Sequence, residues 1–595
     1  MKLESLRFLR GPNLHASVPC MQAVLALDDV QLTQSMQERL AQVLPCPALG
    51  SSLADTVRLM VMALQRLAGS PAQFSQVSTV AGHGGRYQLV CAYACEPVAE
   101  AALDTALAML QALADGHDPA PAARLAAFQQ LAQRHAESDA MRQLRAQAQR
   151  RGIPLLEKEG SHMLQLGWGS AQRWVRRDQA GHANLDSLFG NGNGRIPVIA
   201  ITGTNGKTTT TRLIAHAIAG SAVRVGMTTT EGVIINGDMV SEGDCTGYQS
   251  ARKVLASPDV DFAVLEQARG GILKRGLGFD RSDVAVVLNV SADHLGMDGI
   301  ETPEDMARVK QVVADTAARV LVLNAEDAHC VAIGRQAREH VEIFYFSLDA
   351  ENPELVRHLA AGGRAVYLQE QTMVLADGQC HLALCDAHRL PVTLDGAARY
   401  NIANALAAAG ALVAAGIDRG AIVAGLASFV SDARSNPMRS NIIDVAGITV
   451  VFDFAHNSAA YTALAGMARH LATGKLVGVV SVPGDRRDED LRQIGTVCAA
   501  GFDHLVIYES ENRGRQQGGT ARLLTQGARE GGALHGRLHC KLDVHRAIRF
   551  GLAMCEPGDV MVFGCASSLS ELIEAIRPDM PEIAERIAAE TLQTV

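Results

Sequence analysis

A chain of 595 residues that is 48% hydrophobic and 20% charged is too long and too apolar to be a disordered tail or a disulfide-stapled miniprotein, and its length suits about three to five domains. Lys and Arg total 54 against 63 Asp and Glu, and the net charge of −9 argues against a chain devoted to nucleic acid or to an anionic membrane. The 12 cysteines include no CxxC pair, and neither Cys91 with Cys95 nor Cys380 with Cys385 has the partners of a zinc site, so free thiols in a reducing cytoplasm are expected.

The first residues mix Glu4, Arg7, Arg10 and His15 with apolar ones and lack the apolar core of a secretory signal. Residues 1–176 read as an α+β domain, with a helical pattern at 53–67, a β-branched and aromatic run at 87–93, Ala-rich helices to about 151, and two short strands around a turn at 159–161. Residues 177–195 turn polar, with GNGNG at 190–194, the composition of a flexible linker.

From residue 196 the texture becomes α/β. Strand-like segments at 198–202, 262–265, 284–289 and 320–323 alternate with helices, which predicts a parallel sheet in a domain over 196–432. A second alternation, with strands at 448–454, 476–480, 504–508 and 559–563, predicts a C-terminal α/β domain over 433–595. The Ala-rich stretch 400–417 contains Asn401 and Asn404 and reads as a packed helix rather than a membrane span.

The strongest chemical signal is VIAITGTNGKTTTT, a strand entering a glycine turn and then a helix. Gly203 and Gly206 allow backbone N–H groups of Thr204 and Asn205 to approach an anion, and the helix start at Lys207, Thr208 and Thr209 adds its positive dipole end. Lys207 can reach β- and γ-phosphates and Thr208 can ligate Mg²⁺. The strict P-loop asks for glycine at the position Ile201 holds, so the pattern is a variant.

Glu266 ends a strand, where a carboxylate is placed to hold a metal, although such a residue is as often solvated or capping. Asp293-His294 follows another strand, and a neutral imidazole can ligate a divalent ion, while a lone histidine is more often structural. Lys310, taken alone, is a surface lysine.

These pieces, in this order, resemble the Mur ligase family, whose loop reads GTNGKT, which accounts for Ile201. The segments 226–255, 265–280 and 289–310 are similar to the cyanophycin synthetase branch of that family, and RFLRGPN at 7–13 and GSHMLQLGWGSAQRW at 160–174 look like its N-terminal domain. The resemblance implies a central P-loop domain and a C-terminal Rossmann-like domain with ATP between them, behind a small α+β domain. By the same implication Thr208, Glu266 and His294 hold Mg²⁺, and Lys310 is carbamylated to bind a second Mg²⁺. Asn401 and Asn404 lie on the adenine side, Arg439 contacts phosphate, and Asp453 and His456 sit in the nucleotide-facing DFAHN motif, where Ser458 replaces an expected proline. Lys207, Lys310 and His294 then carry the chemistry.

Two departures accompany the resemblance. The synthetases carry an ATP-grasp domain where this chain has the 177–195 linker, and their N-terminal helix carries histidines and a glutamate where this chain has Thr56 and Arg58. The expected activity is therefore one half of the synthetase's work, joining an amino acid, arginine in that family, to aspartate side-chain carboxylates through an acyl phosphate. A second reading is a non-catalytic nucleotide-binding partner or regulator of a separate cyanophycin synthetase. A third is a ligase for a different amino acid or peptide, since Glu231, Tyr248 and Gln267 depart from the synthetase pattern. The family's habit also implies a homo-oligomer.

Overall fold

A computed structural model of the chain describes residues 1–27, 38, 50, 52–80, 84–157 and 160–592. They form two compact units, one of residues 1–197, 230–263 and 267–282, the other of residues 198–229, 264–266 and 283–595.

In the first unit, Lys2–Leu9, Cys20–Ala26, Arg86–Ala92 and Ser75–Thr79 form an antiparallel sheet in that spatial order. The helix Leu53–Leu67 starts where the Ser52 side chain accepts the Asp55 N–H. Its Val57, Met60, Val61 and Leu64 recur at helical spacing and share one core with Leu103, Ala106 and Leu110 of the helix Glu96–Ala114. Its polar residues are spent structurally: the Thr56 hydroxyl donates to the Ser52 carbonyl at 2.9 Å and Arg58 pairs with Asp55 at 2.7 Å. The strands Leu155–Glu157 and Met163–Leu166 pair antiparallel, as expected, with Arg173–Arg176 as a third strand; Glu159 of the expected turn lies outside the described residues.

The Gly/Asn-rich segment, expected from composition to be flexible, is folded. Asn184 caps the short helix Leu185–Phe189, and Arg151 donates to the carbonyls of Gly190 and Gly192. Arg195 pairs with Asp280 at 2.7 Å and lies 4.4 Å above the Trp168 ring. Arginine donors satisfy the carbonyls that the glycine turns leave open, so the composition alone misleads. The unit also packs its N-terminal segment on residues 275–277: the Arg10 N–H donates to the Arg275 carbonyl and the Leu277 N–H to that of Pro12. A Cβ on Gly11 would stand 1.9 Å from the Leu277 oxygen, which is why no larger residue fits there.

The second unit holds two sheets. In the first, Val225–Thr228 is followed in space by the parts of Phe262–Glu266 and Ser282–Val287 in this unit on either side of Val198–Thr202, then by Ala317–Asn324, Glu342–Ser347 and Arg364–Gln369. Val198–Thr202 is buried along its whole length, the mark of a strand covered on both faces, and pairs in parallel from Ile199 opposite Val284 to Thr202 opposite Val287. Two strands without a counterpart in the sequence reading, Thr372–Asp377 and Cys380–Asp386, extend the sheet antiparallel. The Ala-rich helix Arg399–Ala414 is buried through most of its length, and among the described residues no helix is long and apolar enough to cross a membrane.

The second sheet runs Arg439–Val445, Ile448–Asp453, Val560–Gly564, Leu476–Val480, His504–Ile507, Leu538–Cys540, parallel except for its first pair. Alternate residues of its strands feed two cores: Val451, Val480 and Val562 on one face, Val450, Val479 and Phe563 on the other. The fold is thus α/β with an α+β N-terminal portion.

Candidate active site

The glycine turn after Val198–Thr202 is held from a neighbouring strand end. Asn289 accepts the N–H groups of Thr204 and Asn205 on its side-chain oxygen at 3.0 and 2.9 Å and returns a bond from Nδ2 to the Asn205 carbonyl at 3.1 Å. Asn289 was not singled out by sequence reasoning; an amide following a buried strand and facing a glycine turn was the available signal. Gly206 caps the helix Lys207–Ala219 at φ +85°, a conformation only glycine adopts freely. A Cβ there would meet the Asn404 side-chain oxygen at 2.2 Å. Asn404, expected on the adenine side, therefore lies against the phosphate loop, where its Nδ2 donates to the Asn401 oxygen while Asn401 donates to the Val392 carbonyl.

Lys207 folds back so that Nζ donates to the Thr204 carbonyl at 2.9 Å. Thr208 and Thr209 are buried and reach the start of the second sheet. The Thr208 hydroxyl accepts from Arg439 Nη2 at 3.3 Å, and the Thr209 hydroxyl from Asn436 Nδ2 at 3.2 Å. Asn205 and Asn457 exchange two amide hydrogen bonds, at 3.0 and 3.3 Å, joining the loop to the cap of the helix Ser458–Leu471. Ser458, where proline was expected, takes the first helical position, which tolerates either residue.

Glu266 is fully buried at the end of its strand, next in the sheet to Val198–Thr202. Lys310 is buried on the helix Pro303–Ala314, whose start is fixed by a capping box between Thr302 and Asp305. Burial, and after it the charge of Lys207, push the Lys310 amine down to about 7, with Asp293 acting the other way. The amine is thus neither a surface group nor firmly cationic.

Asp293, His294 and His456 bring one ligand atom each to within 4.8 Å of one another. His294 takes φ +53°, which turns its ring toward the second sheet, and Arg486 donates from Nη2 to His294 Nε2 at 2.9 Å. Asp293 stands 3.4 Å from Arg486 Nε and 3.5 Å from His456 Nε2. Burial would raise the Asp293 acid, but His456, His294 and Arg486 outweigh it and hold the carboxyl well below its usual range. His456 Nδ1 lies 2.8 Å from the Phe454 carbonyl, an acceptor only, so that nitrogen carries the proton. Asp453 accepts from the Ser440 N–H and hydroxyl, both at 2.9 Å, and burial raises its acid despite Arg439.

Thr208 and Glu266 offer buried oxygens and His294 an imidazole, ligand types that a divalent cation takes, and at that imidazole a guanidinium already stands. The structure brings together the phosphate loop, Asn404, Arg439 and Thr208, and separately Asp293, His294, His456 and Arg486. Lys310 is coupled electrostatically to both groups through Lys207 and Asp293.

The Mur ligase middle domain matches residues 201–412, and the Mur ligase glutamate ligase domain matches residues 438–567. The chain is 39% identical over 407 residues to cyanophycin synthetase of Nostoc sp., covering 68% of this chain and 45% of that protein. It is 41% identical over 384 residues to cyanophycin synthetase of Geminocystis herdmanii, covering 64% and 43%. It is 26% identical over 415 residues to UDP-N-acetylmuramoyl-L-alanyl-D-glutamate--2,6-diaminopimelate ligase of Geobacter metallireducens, covering 65% and 78%. The matched stretch spans under half the length of the two synthetases. With both ligase domains matched in order, on a phosphate loop whose geometry suits them, the chain belongs to the Mur ligase family and resembles its cyanophycin synthetases.

Proposed function

We propose that the protein is an ATP-dependent, ADP-forming ligase that activates a carboxylate as an acyl phosphate and joins it to the amine of an amino acid, arginine onto aspartate side chains being the pairing the resemblance favours. The observation that carries this reading is the buried amine of Lys310, coupled electrostatically to Lys207 of the loop that also carries Thr208, because a scaffold has no physical need to bury a lysine near another cation.

The start of the helix Lys207–Ala219, behind a loop whose Thr204 and Asn205 N–H groups are held by Asn289, binds the phosphates of ATP. Lys207 leaves the Thr204 carbonyl and neutralises the γ-phosphate as a substrate carboxylate attacks it, and Arg439 lies beside Thr208 to share that charge. Bound Mg²⁺, held by Thr208, Glu266 and His294, supplies charge neutralisation of the transferring phosphoryl group. Lys310, with its acidity near neutrality, carries enough neutral amine to add to CO₂: a C–N bond forms, one proton leaves, and the resulting carbamate is an anionic oxygen ligand. The amine substrate then displaces phosphate from the acyl carbon, leaving an amide.

ADP release by the purified chain with Mg-ATP, screened with arginine, lysine and other amines against aspartate oligomers and β-aspartyl peptides, tests the reading. Turnover requiring both an amine and a carboxylate, absent in Lys207→Ala, supports the ligase. ATP binding without turnover across the panel sinks it and favours a regulator of a separate synthetase.

A further inference from the structure

The segment Pro483-Gly484-Asp485-Arg486-Arg487 follows the strand Leu476–Val480 and has no part in the nucleotide loop, yet it carries the most buried guanidinium near the site. Arg486 is 4% exposed. It is clamped by Asp485 at 2.6 Å and by Asp293 at 3.4 Å, and its Nη2 donates to His294 Nε2 at 2.9 Å. The backbone on the opposite side is close too: a Cβ on Gly296 would touch the Arg487 stem at 3.0 Å, so the loop after His294 and the arginine segment are packed together.

An arginine side chain only donates, so His294 Nε2 must offer its lone pair. A divalent cation ligated by His294 needs that same lone pair at about 2.1 Å, and it would meet the fixed positive charge of the guanidinium at the same position. Ion and guanidinium therefore exclude one another. Asp293, His294 and His456 converge as they would on an ion, and here Asp293 and His294 both hold Arg486 while His456 stands beside Asp293. We propose that Arg486 is an internal cation that occupies the divalent-ion position at His294 and gates it, so that the ion binds only after Arg486 is withdrawn. The inference rests on the ligase reading for the role of His294, but its test does not use turnover.

The experiment is titration of the full chain with Mn²⁺ without nucleotide, following free Mn²⁺ by electron paramagnetic resonance, in the wild type and in Arg486→Gln, each with and without His294→Ala. A hydrogen bond to a charged group contributes about 1.5–3 kcal/mol, so Arg486→Gln is expected to bind Mn²⁺ roughly 10- to 100-fold more tightly, a gain that vanishes when His294→Ala is added. An unchanged isotherm, or a gain that survives His294→Ala, overturns the gate. Should Arg486→Gln fail to fold by circular dichroism, Arg486→Lys keeps a cation for Asp293 and Asp485 without the planar fork. It is then expected to tighten Mn²⁺ at least about threefold, and no change overturns the proposal. Absence of ADP release in the wild type would count against the ligase reading, and the Mn²⁺ comparison would still decide the gate.

Discussion

At the scale of single residues, the two lysines near the loop answer to different physics. Lys207 contacts a carbonyl and, on the proposed reading, has a phosphate to reach, so Lys207→Ala is expected to abolish ADP release while circular dichroism and thermal unfolding stay near those of the wild type. Lys310 is different because its burial costs stability whenever it is charged. Its amine is depressed to about 7 in the folded chain against an ordinary value of 10.5, so between those values the unfolded state binds more protons and stability rises with pH. Below about pH 7 both states are protonated and the penalty is whole, at roughly 1.4 kcal/mol per unit of depression. Lys310→Met is therefore expected to raise the unfolding midpoint most at pH 6, with the advantage shrinking toward pH 10. Chemical denaturation across that range, in CO₂-free buffer, checks it; a pH-independent advantage would contradict the burial account.

At the scale of elements, the phosphate loop depends on what stands behind it. Gly206→Ala places a Cβ in a left-handed residue, costing about 1–2 kcal/mol, and drives it into Asn404. Nucleotide affinity measured by calorimetry is expected to fall at least tenfold, and wild-type affinity would show that the loop relaxes freely. Asn289→Ala removes three hydrogen bonds to Thr204 and Asn205 and is expected to weaken ADP binding by a smaller factor, about three- to tenfold, with the chain still folded. The same scale explains why some elements were legible and others were not. The strands at 198–202 and 476–480 are apolar runs bounded by turns and were placed to the residue. The hairpin Thr372–Asp377 and Cys380–Asp386 mixes exposed and buried residues at a sheet edge, where packing on one side only leaves a weaker pattern. The Gly190–Gly194 segment misled because its order comes from Arg151 and Arg195, which are remote or outside its local composition.

At the scale of the whole molecule, the second unit couples its two sheets through the amide pair of Asn205 and Asn457. A double-mutant cycle of Asn205→Ala and Asn457→Ala, read by urea unfolding, is expected to return a coupling of about 0.5–1.5 kcal/mol, and additive effects would mean the pair contributes nothing. Sequence by itself determined the α/β class and the glycine turn between a buried strand and a helix, because strand periodicity and a glycine turn before a helix are local properties of the chain. Only the tertiary structure decided the rest. Lys310 sits on a helix whose sequence looks like surface, and burial by distant elements is what lowers its charge. Asn289 and Arg486 reach the site from the loops after two different strands, and Asn404 from a helix. Contacts across 84 to 198 residues of chain leave no period in the sequence, since they are set by which buried faces pack together and not by neighbouring residues.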